Sequence, residues 1–523
     1  MSDDKPNVLF LLSDQHNYRC VSHRKEDGHP VRTPAIDSLA TNGVYYSEAY
    51  TPSPLCVPAR YCLLTGRHAP RASAWGHSYV LPPALETIPE TFSDDGYETC
   101  LVGKMHLGGN RQYAGFDHRP YGDLTGKAGH QHEPPGPNNV NLTSYVNDVG
   151  VSEIPESMTQ ERRVNEESIA FLREHRASDP DRPWFLCASF CRPHWPRRAP
   201  KRFIDRYDAE TVPRPDAVDG DASDHPLTNY LRNRYGTAEM TFDESMEARA
   251  SYFACVDFVD EVIKDLLTTL ENDGLLENTI VVYTSDHGDM IGEYSSWDKH
   301  IWHDESTRVP LSIQLPEHRS NGLPAKQVST PVSLIDLYPT LCGLTNVARP
   351  NGLDGHDLSE SIRSGEEPDR EPVYVDYLTP LSNDDMEYRM IRDGRYKYVK
   401  FRTLSDFFFD LENDPHERTN ILDDAGGKRA SIRDQLSAAI EESLDFEAAV
   451  SSRQKADNLI GEHKLGCPEG TGNAYHLDSG RIVDADTPLY HPHVLAEDPN
   501  EVYDDYPYEV DSGSFANGDG LDW

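Results

Sequence analysis

Basic residues are scarce in this sequence relative to acidic ones. The 523 residues include 49 Lys and Arg against 89 Asp and Glu, which gives a formal net charge of -40. Binding to nucleic acid or to an anionic membrane surface requires clustered Lys and Arg, so we expect neither partner. Long apolar runs are also lacking, and no segment reaches the ~18 apolar residues of a membrane span. The apolar fraction of 37% lies below the ~45–50% usual for globular domains.

The N-terminal region has no basic segment and no twin arginine, and the sequence has no Cys-x-x-Cys pair. Its nine scattered cysteines fit free thiols in a reducing compartment better than a disulfide framework. The start MSDDKPNVLFLL does not resemble a secretion signal, so we expect a cytoplasmic protein. Abundant surface acid is tolerable in molar salt, where the Debye length shrinks to ~3 Å. We therefore favour a halophilic cytosol, with an ordinary acidic protein as the alternative.

Apolar strands alternate with helices over most of the chain. Asn7–Leu12 is a continuous apolar run followed by Ser-Asp-Gln, which predicts a buried strand with polar residues at its C-terminal end. A helix is predicted to begin at Pro58, since proline suits the first helical position. The same logic predicts strands in ETCLVG, PWFLCASF and TIVVYTSDHGD, and a long helix over MEARASYFACVDFVDEVIKDLLTTLENDGL. Repeated units of this kind predict an α/β fold, an α/β/α sandwich around a large central sheet.

The pattern changes near residue 375, which predicts three units along the chain. Residues 1–375 form the catalytic domain. Residues 376–455 form a smaller C-terminal domain with an antiparallel sheet, predicted from RMIRDGRYKYVK and FFFDL, and with a helix around Ile432–Leu444. Residues 456–523 are an acidic extension, poor in aliphatic residues, that either wraps the protein or is partly disordered. The polar stretch at about 110–155 is predicted to be a long loop over one face.

The segment Cys56-Val57-Pro58-Ala59-Arg60 carries the first chemical cluster. A cysteine at a helix N-terminus has its thiolate stabilised by the helix dipole and by free N–H groups, and the same place binds tetrahedral anions. Arg60, one turn further on, can share such an anion. The alternative is a buried structural cysteine followed by a capping arginine.

Two polar pairs follow predicted strands and form the second cluster. Asp14-Gln15 and Asp286-His287 offer carboxylate and amide oxygens and one imidazole. Such ligands suit Ca²⁺, Mg²⁺ or Mn²⁺, and the ends of neighbouring strands meet at one edge of a sheet. The alternative for either pair alone is a helix N-cap. Both pairs together favour a divided metal site.

A third cluster consists of cations and imidazoles. Lys104 and His106 in GKMHLG are two residues apart, so on a strand they would point to the same side. His194 in RPHWP and Lys299 in WDKHIWHDESTRVP complete the set. Next to a metal, these groups would suit an anionic transition state and a protonated leaving group. Taken singly, each is more often an ordinary surface or core residue.

Taken together, these motifs resemble the formylglycine sulfatases of the alkaline phosphatase superfamily, from Asn7 to about Asp424. The resemblance rests on Cys56-x-Pro-x-Arg60 with Thr65-Gly66-Arg67, on GKMHLG, Pro193-His194, Ser285-Asp286-His287-Gly288, Lys299 with Arg308-Val309-Pro310, RYKYVK and FDLENDPHERTNIL. It implies an alkaline-phosphatase-like sandwich with a mixed sheet, and a sulfuric ester hydrolase.

The resemblance further implies that a formylglycine-generating enzyme oxidises Cys56 to formylglycine, which hydrates to a diol. One hydroxyl attacks sulfur and expels the alcohol, and the second allows the sulfated group to leave by elimination. Arg60 would orient the diol, Lys104 and Lys299 would bind sulfate oxygens, His194 would protonate the leaving oxygen, and His106 would assist elimination. The metal, Ca²⁺ with Mn²⁺ or Mg²⁺ as alternatives, would be bound by Asp14, Gln15, Asp286, His287 and residue 56.

One departure leaves the class of ester open. Many sulfatases have two successive aspartates where this chain has Asp14-Gln15, and Gln15 brings an oxygen without a charge. The Asp-Gln and Asp-His pairs together also resemble the phosphonate monoester hydrolases, and Asp-His alone resembles the iduronate-sulfatase branch. We expect hydrolysis of a sulfated carbohydrate or small organosulfate. Hydrolysis of a phosphonate monoester or phosphodiester is the alternative, and a non-catalytic sulfoglycan-binding protein is a third reading. A homo-oligomer stays open.

Overall fold

The computed structural model describes residues 5–465, apart from 78, 80, 108–110, 112, 123–145, 147, 218, 321, 371, 381–385 and 425, together with 474–476 and 482–484. The strands are β1 Asn7–Asp14, β2 Val44–Tyr50, β3 Glu98–Gly103, β4 His118–Gly122, β5 Val149–Val151, β6 Trp184–Pro193, β7 Arg197–Ala199, β8 Thr279–Ser285, β9 Arg308–Gln314, β10 Lys326–Val328, β11 Val332–Ser333, β12 Val373–Tyr377, β13 Tyr388–Asp393, β14 Tyr396–Phe401, β15 Phe407–Asp410, β16 Ala474–His476 and β17 Ile482–Asp484. The helices are α1 Pro34–Thr41, α2 Cys56–Thr65, α3 Ala69–Ala72, α4 Ile88–Asp94, α5 Gln160–Ser178, α6 Lys201–Ile204, α7 Pro226–Arg234, α8 Phe242–Asn272, α9 Asp304–Thr307, α10 Pro316–Arg319, α11 Leu337–Thr345, α12 Ser359–Ser364, α13 Lys428–Ser443 and α14 Phe446–Leu465.

The central sheet has nine strands within this part of the chain. Their order is β10-β2-β9-β8-β1-β6-β3-β4, and β11 also pairs with β2. β1 pairs in parallel with both β6 and β8, whereas β9 runs antiparallel to β2 and β8. The sheet is therefore mixed, as predicted.

Alternate residues of β1 enter two separate hydrophobic cores. Leu9 and Leu11 pack with Phe258 of α8 on one face, and Phe10 packs in the core that contains Leu341 of α11 on the other face. Side chains alternate in direction along a strand, so a strand that is apolar throughout must be covered on both sides. This arrangement confirms the predicted α/β/α sandwich.

A four-stranded antiparallel sheet follows, in the order β12-β13-β14-β15. Helix α13 covers one face, where Ile391, Tyr398 and Phe408 form a core with Leu436 and Ile440. The predicted smaller antiparallel sheet with a helix is thus confirmed. The predicted domain boundary at residue 375 falls inside β12 and stays a prediction, and most of the proposed extension 456–523 lies outside the described residues.

Three local predictions differ from the structure. Helix α2 begins at Cys56, two residues before Pro58. β1 continues to Asp14 because its pairing with β6 and β8 extends beyond the apolar run. The predicted loop at 110–155 contains β4, which pairs with β3, and β5, which pairs with β7. These short strands are held by backbone pairing, and their residues show no apolar alternation that a sequence pattern would reveal.

Among the described helices, none combines the length and the hydropathy needed to cross a bilayer.

The net charge of -40 leads to a prediction about salt. Repulsion among unpaired carboxylates opposes the compact state, and concentrated salt screens it. We expect the thermal unfolding midpoint to rise steadily from about 0.1 M to about 3 M KCl, the range over which the Debye length falls from ~10 Å to below ~3 Å. A midpoint that is unchanged or lower at the higher concentration would contradict the halophilic interpretation.

Candidate active site

The two polar pairs lie side by side at one edge of the central sheet. β1 and β8 are adjacent and parallel, and Ser13 pairs with Ser285. The next residues, Asp14 and Asp286, therefore leave neighbouring strands at the same level, and both are fully buried. The backbone N–H of Gln15 donates to Oδ1 of Asp286 at 3.1 Å. The sheet topology thus brings together the two halves of the predicted metal site.

Helix α2 presents Cys56 to this edge as its first residue. The Cys56 Sγ lies 3.2 Å from Nε2 of His287, 3.1 Å from Nζ of Lys299 and 3.8 Å from Oδ1 of Asp14. The thiol is completely buried. Since the free N–H groups of a helix start favour negative charge nearby, this position suits an anionic group at residue 56.

Arg60 holds the two carboxylates together from the next turn of α2. Its Nε donates to Oδ2 of Asp286 at 2.7 Å and its Nη2 to Oδ2 of Asp14 at 2.9 Å. Its Nη1 donates to the carbonyl oxygen of Lys104 at 2.6 Å. The guanidinium is fully buried, so it acts as the fixed counter-charge of both acids.

Lys104 and His106 lie near the site but follow the end of β3, so they are not part of a strand. β3 ends at Gly103, and His106 has a φ of 56°, so the expectation that both side chains share one side of a strand is wrong. Gly103 has a φ of +100°, and a Cβ there would lie 1.9 Å from the carbonyl oxygen of Ser189. Lys104 Nζ nevertheless lies 2.7 Å from Oδ2 of Asp14, and a ring nitrogen of His106 lies within 4.8 Å of the Cys56 Sγ.

Lys299 and His194 lie next to each other, and Lys299 contacts Cys56. Lys299 Nζ is 2.9 Å from Nε2 of His194 and donates to Oε1 of Gln15 at 2.9 Å. Nδ1 of His194 lies 2.9 Å from the carbonyl oxygen of Trp195. A carbonyl can only accept, so Nδ1 carries the hydrogen and Nε2 is left to accept from Lys299.

Electrostatics at this site favour an anion at residue 56. Burial opposes ionisation of the Cys56 thiol, but Lys299, Lys104 and His287 outweigh it and hold its pKa well below the usual value. By contrast, burial raises the pKa of Cys62 in the same helix well above the usual value. Burial and the two lysines lower the pKa of His194, so its imidazole is neutral at pH 7.

The ligand set fits a hard divalent cation. Ligand atoms of Asp14, Cys56, Asp286 and His287 all lie within 4.8 Å of one another and are buried. Oε1 of Gln15 joins them through its bond to Lys299. Two carboxylates, an amide oxygen and an imidazole suit Ca²⁺, Mg²⁺ or Mn²⁺. Four of the five residues predicted to bind the metal therefore lie near one point, and Gln15 is linked to Cys56 through Lys299.

Two residues at the site were not predicted from the sequence. Asp289 accepts from Nε2 of Gln15 at 2.6 Å and from Nη2 of Arg197 at 2.8 Å, so it fixes the orientation of the Gln15 amide. A ring nitrogen of His77 lies within 4.8 Å of the Cys56 Sγ. Asp289 lies only three residues after Asp286, so its nearness to the site could have been predicted from the sequence. His77 lies in a segment without any other candidate site residue, so the sequence did not indicate its position at the site.

Comparisons with known protein families match most of the chain. The family model described as Sulfatase matches residues 6–347, and the model described as N-sulphoglucosamine sulphohydrolase, C-terminal, matches residues 292–445. The choline-sulfatase of Rhizobium meliloti is 31% identical over 477 residues, covering 87% of this chain and 90% of that protein.

Solved structures share the fold. The phosphonate monoester hydrolase of Agrobacterium radiobacter superposes with a TM-score of 0.70 and 24% identity, covering 92% of this chain and 99% of that one. A protein solved in complex with its substrate D-glucosamine-2-N,6-O-disulfate gives a TM-score of 0.69 and 22% identity, covering 89% of this chain and all of the other. The architecture described above is thus the alkaline-phosphatase-like one predicted.

Proposed function

Since the chain belongs to the sulfatase family, we propose that it hydrolyses an organic sulfate ester by means of a formylglycine made from Cys56. The observation that carries this proposal is the placement of Cys56 as the first residue of α2. There its Sγ contacts Lys299 and His287, and two buried carboxylates lie directly behind it. A structural cysteine does not need cations beside its side chain, whereas the precursor of a reactive oxygen nucleophile does, because these cations stabilise the anionic form of that nucleophile.

Formylglycine, once hydrated, supplies two hydroxyls on one carbon, one to attack sulfur and one to let sulfate leave. A cation held by Asp14, Gln15, Asp286, His287 and residue 56 would supply positive charge that lowers the pKa of a hydroxyl beside it. The contacts of Gln15 and His287 with the other ligands support this assignment.

Lys104 and Lys299 are the cations available to bind the sulfate oxygens of the substrate. Burial opposes charge on Lys299, yet Cys56, Asp298 and Asp14 raise its pKa, so the ammonium stays charged.

When the ester bond between sulfur and the alcohol oxygen breaks, its electron pair goes to that oxygen, which must take a proton. The Lys299–His194 pair, 2.9 Å apart, is placed to give this proton. His106, which has a ring nitrogen within 4.8 Å of the side chain of residue 56, is placed to accept one from it.

The alcohol part of the substrate is proposed only as a class. We propose a sulfated small molecule or oligosaccharide, contacted by residues around 110–155 and 205–245 and by the C-terminal extension. A cytoplasmic enzyme would meet such compounds after import. A formylglycine-generating enzyme is the expected transient partner, and no nucleic acid or membrane is expected to bind.

A second candidate function is hydrolysis of phosphonate monoesters. It is favoured by one observation, the neutral Gln15 at the metal site, together with the fold shared with a phosphonate monoester hydrolase. Replacement of a carboxylate by an amide makes the site less negative by one charge. Sulfate monoesters and phosphonate monoesters each carry one negative charge, so the choice between them rests on a kinetic comparison.

The two functions are separated by kinetics on matched substrates. We expect kcat/KM to be higher for 4-nitrophenyl sulfate than for 4-nitrophenyl phenylphosphonate. The two substrates share one leaving group and differ only in the group transferred, so the ratio of the two values reports which group the site prefers. The assay is run in concentrated KCl with added Ca²⁺ or Mn²⁺. A phosphonate value higher by orders of magnitude would overturn the sulfatase assignment in favour of the second candidate.

A further inference from the structure

His77 lies in the segment between α3 and α4, away from every motif that carries the family resemblance. Its ring stacks on that of His106, with centroids 4.9 Å apart and planes inclined by 28°. Ligand atoms of Cys56, His77 and His106 all lie within 4.8 Å of one another. Two imidazoles therefore lie next to residue 56, in addition to the Lys299–His194 pair.

The backbone alone does not fix the ring of His106. The chain leaves the sheet at Gly103, and the backbone N–H of Lys104 still bonds the carbonyl oxygen of Ser189 at 3.1 Å. His106 is two residues further on, with a φ of 56°. A side chain on such a segment is held by what packs against it, and the face of the His106 imidazole packs against His77.

We propose that His77 is a positioning residue for the reaction: it holds the imidazole of His106 against the side chain of residue 56. This inference rests on the proposed function. His106 takes the proton of the remaining hydroxyl at residue 56. The electron pair of that O–H bond becomes the carbonyl bond, and the C–O bond to the sulfate group breaks, with its electrons leaving on sulfate. A misplaced His106 slows this step and leaves earlier steps intact.

The test compares four variants of the full-length, converted enzyme: His77→Ala, His77→Phe, His106→Ala, and the double variant His77→Ala/His106→Ala. Phenylalanine keeps a flat ring for stacking but has no nitrogen. We expect His77→Ala to lower kcat for 4-nitrophenyl sulfate by about 30-fold, within the range for a misplaced catalytic group, and to lower KM by a similar factor, because slowing only the last step leaves kcat/KM unchanged. His77→Phe should recover kcat to within about threefold of wild type, because stacking is the contact that matters.

Intact mass supplies a second readout. During turnover, His77→Ala should accumulate chains about 98 Da heavier than the aldehyde form, which is about 80 Da heavier than the hydrated diol, because the sulfate group is retained; wild type should not. In the His106→Ala background, removal of His77 should change kcat by less than about twofold, because a residue that acts through another shows no separate effect once that residue is absent. His68→Ala is the control. His68 is a second imidazole, stacked edge-on against Tyr374, and its loss should produce no heavier species.

Several outcomes would overturn the inference. Equal losses from His77→Ala in both backgrounds would show that His77 acts independently of His106. A raised KM with unchanged kcat would make it a substrate-binding residue. Full activity of His77→Ala would remove any role. The proposed function fails in a different way: wild-type protein that is active while residue 56 remains an unconverted cysteine would overturn formylglycine chemistry itself, whatever the variants show.

Discussion

Replacement of Cys56 by alanine is expected to lower kcat/KM for an aryl sulfate by about 10⁴-fold or more, because it removes the nucleophile and leaves only binding and electrostatic stabilisation. The neighbouring groups would remain in place. Asp14, Asp286 and Arg60 are linked to one another by hydrogen bonds that do not involve the thiol. Cys56→Ala should therefore lose hydrolytic turnover while the protein stays folded.

Cys62→Ala is the matched control for this prediction. Cys62 lies in the same helix and is equally buried, but it belongs to the hydrophobic core rather than to the site. We expect it to lower the free energy of unfolding by about 1 kcal/mol, a typical cost for a core change of this size, and to leave kcat/KM per folded molecule unchanged. If Cys56→Ala kept activity within tenfold of wild type, residue 56 would not be the nucleophile, and hydrolysis would proceed by another mechanism.

Replacement of Arg60 by methionine is expected to have the largest effect on stability. Arg60 pairs with Asp14 and Asp286, and all three side chains are fully buried. Removal of one partner of a buried ion pair leaves an uncompensated charge, which costs about 3–5 kcal/mol. Asp286 loses its guanidinium partner here, and Asp14 keeps only Lys104. Methionine keeps the length of the side chain, so most of the loss reflects charge. Hydrolysis should also fall, since the acids would no longer be held in place.

The measurement is urea unfolding at fixed high salt, with a chelator present so that no divalent cation replaces the guanidinium. Arg71→Met serves as the control, because Arg71 pairs with Asp354 while its own side chain is 53% exposed. Pairs of that kind contribute about 0–1 kcal/mol. If both variants lost the same small amount, the buried pairs of Arg60 would not be the stabilising network that the geometry indicates.

The fold was largely predictable because its central strands are apolar throughout. The runs at β1 and β8 require cover on both faces, which implies helices on both sides of a sheet. Strand order and the antiparallel direction of β9 were not predictable from the residues alone, because pairing partners are chosen by tertiary packing. Edge strand β4 was missed for a related reason. It has Pro120 and Gly122 in five residues, a composition typical of loops.

The site was predicted where residues follow strands and missed where they do not. Asp14 and Asp286 meet because β1 and β8 pair in parallel, and the strand ends alone indicated this. Lys104 and His106 lie near Asp14 and Cys56, but their local geometry differs from the predicted strand, because the turn after Gly103 depends on a close approach to Ser189 that sequence patterns do not contain. His77 could be found only from its contacts in three dimensions.

The most direct test of the central claim is the mass of the tryptic peptide 33–60, which ends at Arg60 and has Cys56 as its one cysteine. The protein is produced with a formylglycine-generating enzyme, assayed for sulfate-ester hydrolysis, and then digested. We predict a peptide about 18 Da lighter than the cysteine form, the exchange of a thiol for an aldehyde, which resists alkylation by iodoacetamide and whose fraction rises in proportion to activity. A fully active preparation whose peptide 33–60 carries an intact, alkylatable cysteine would contradict the account.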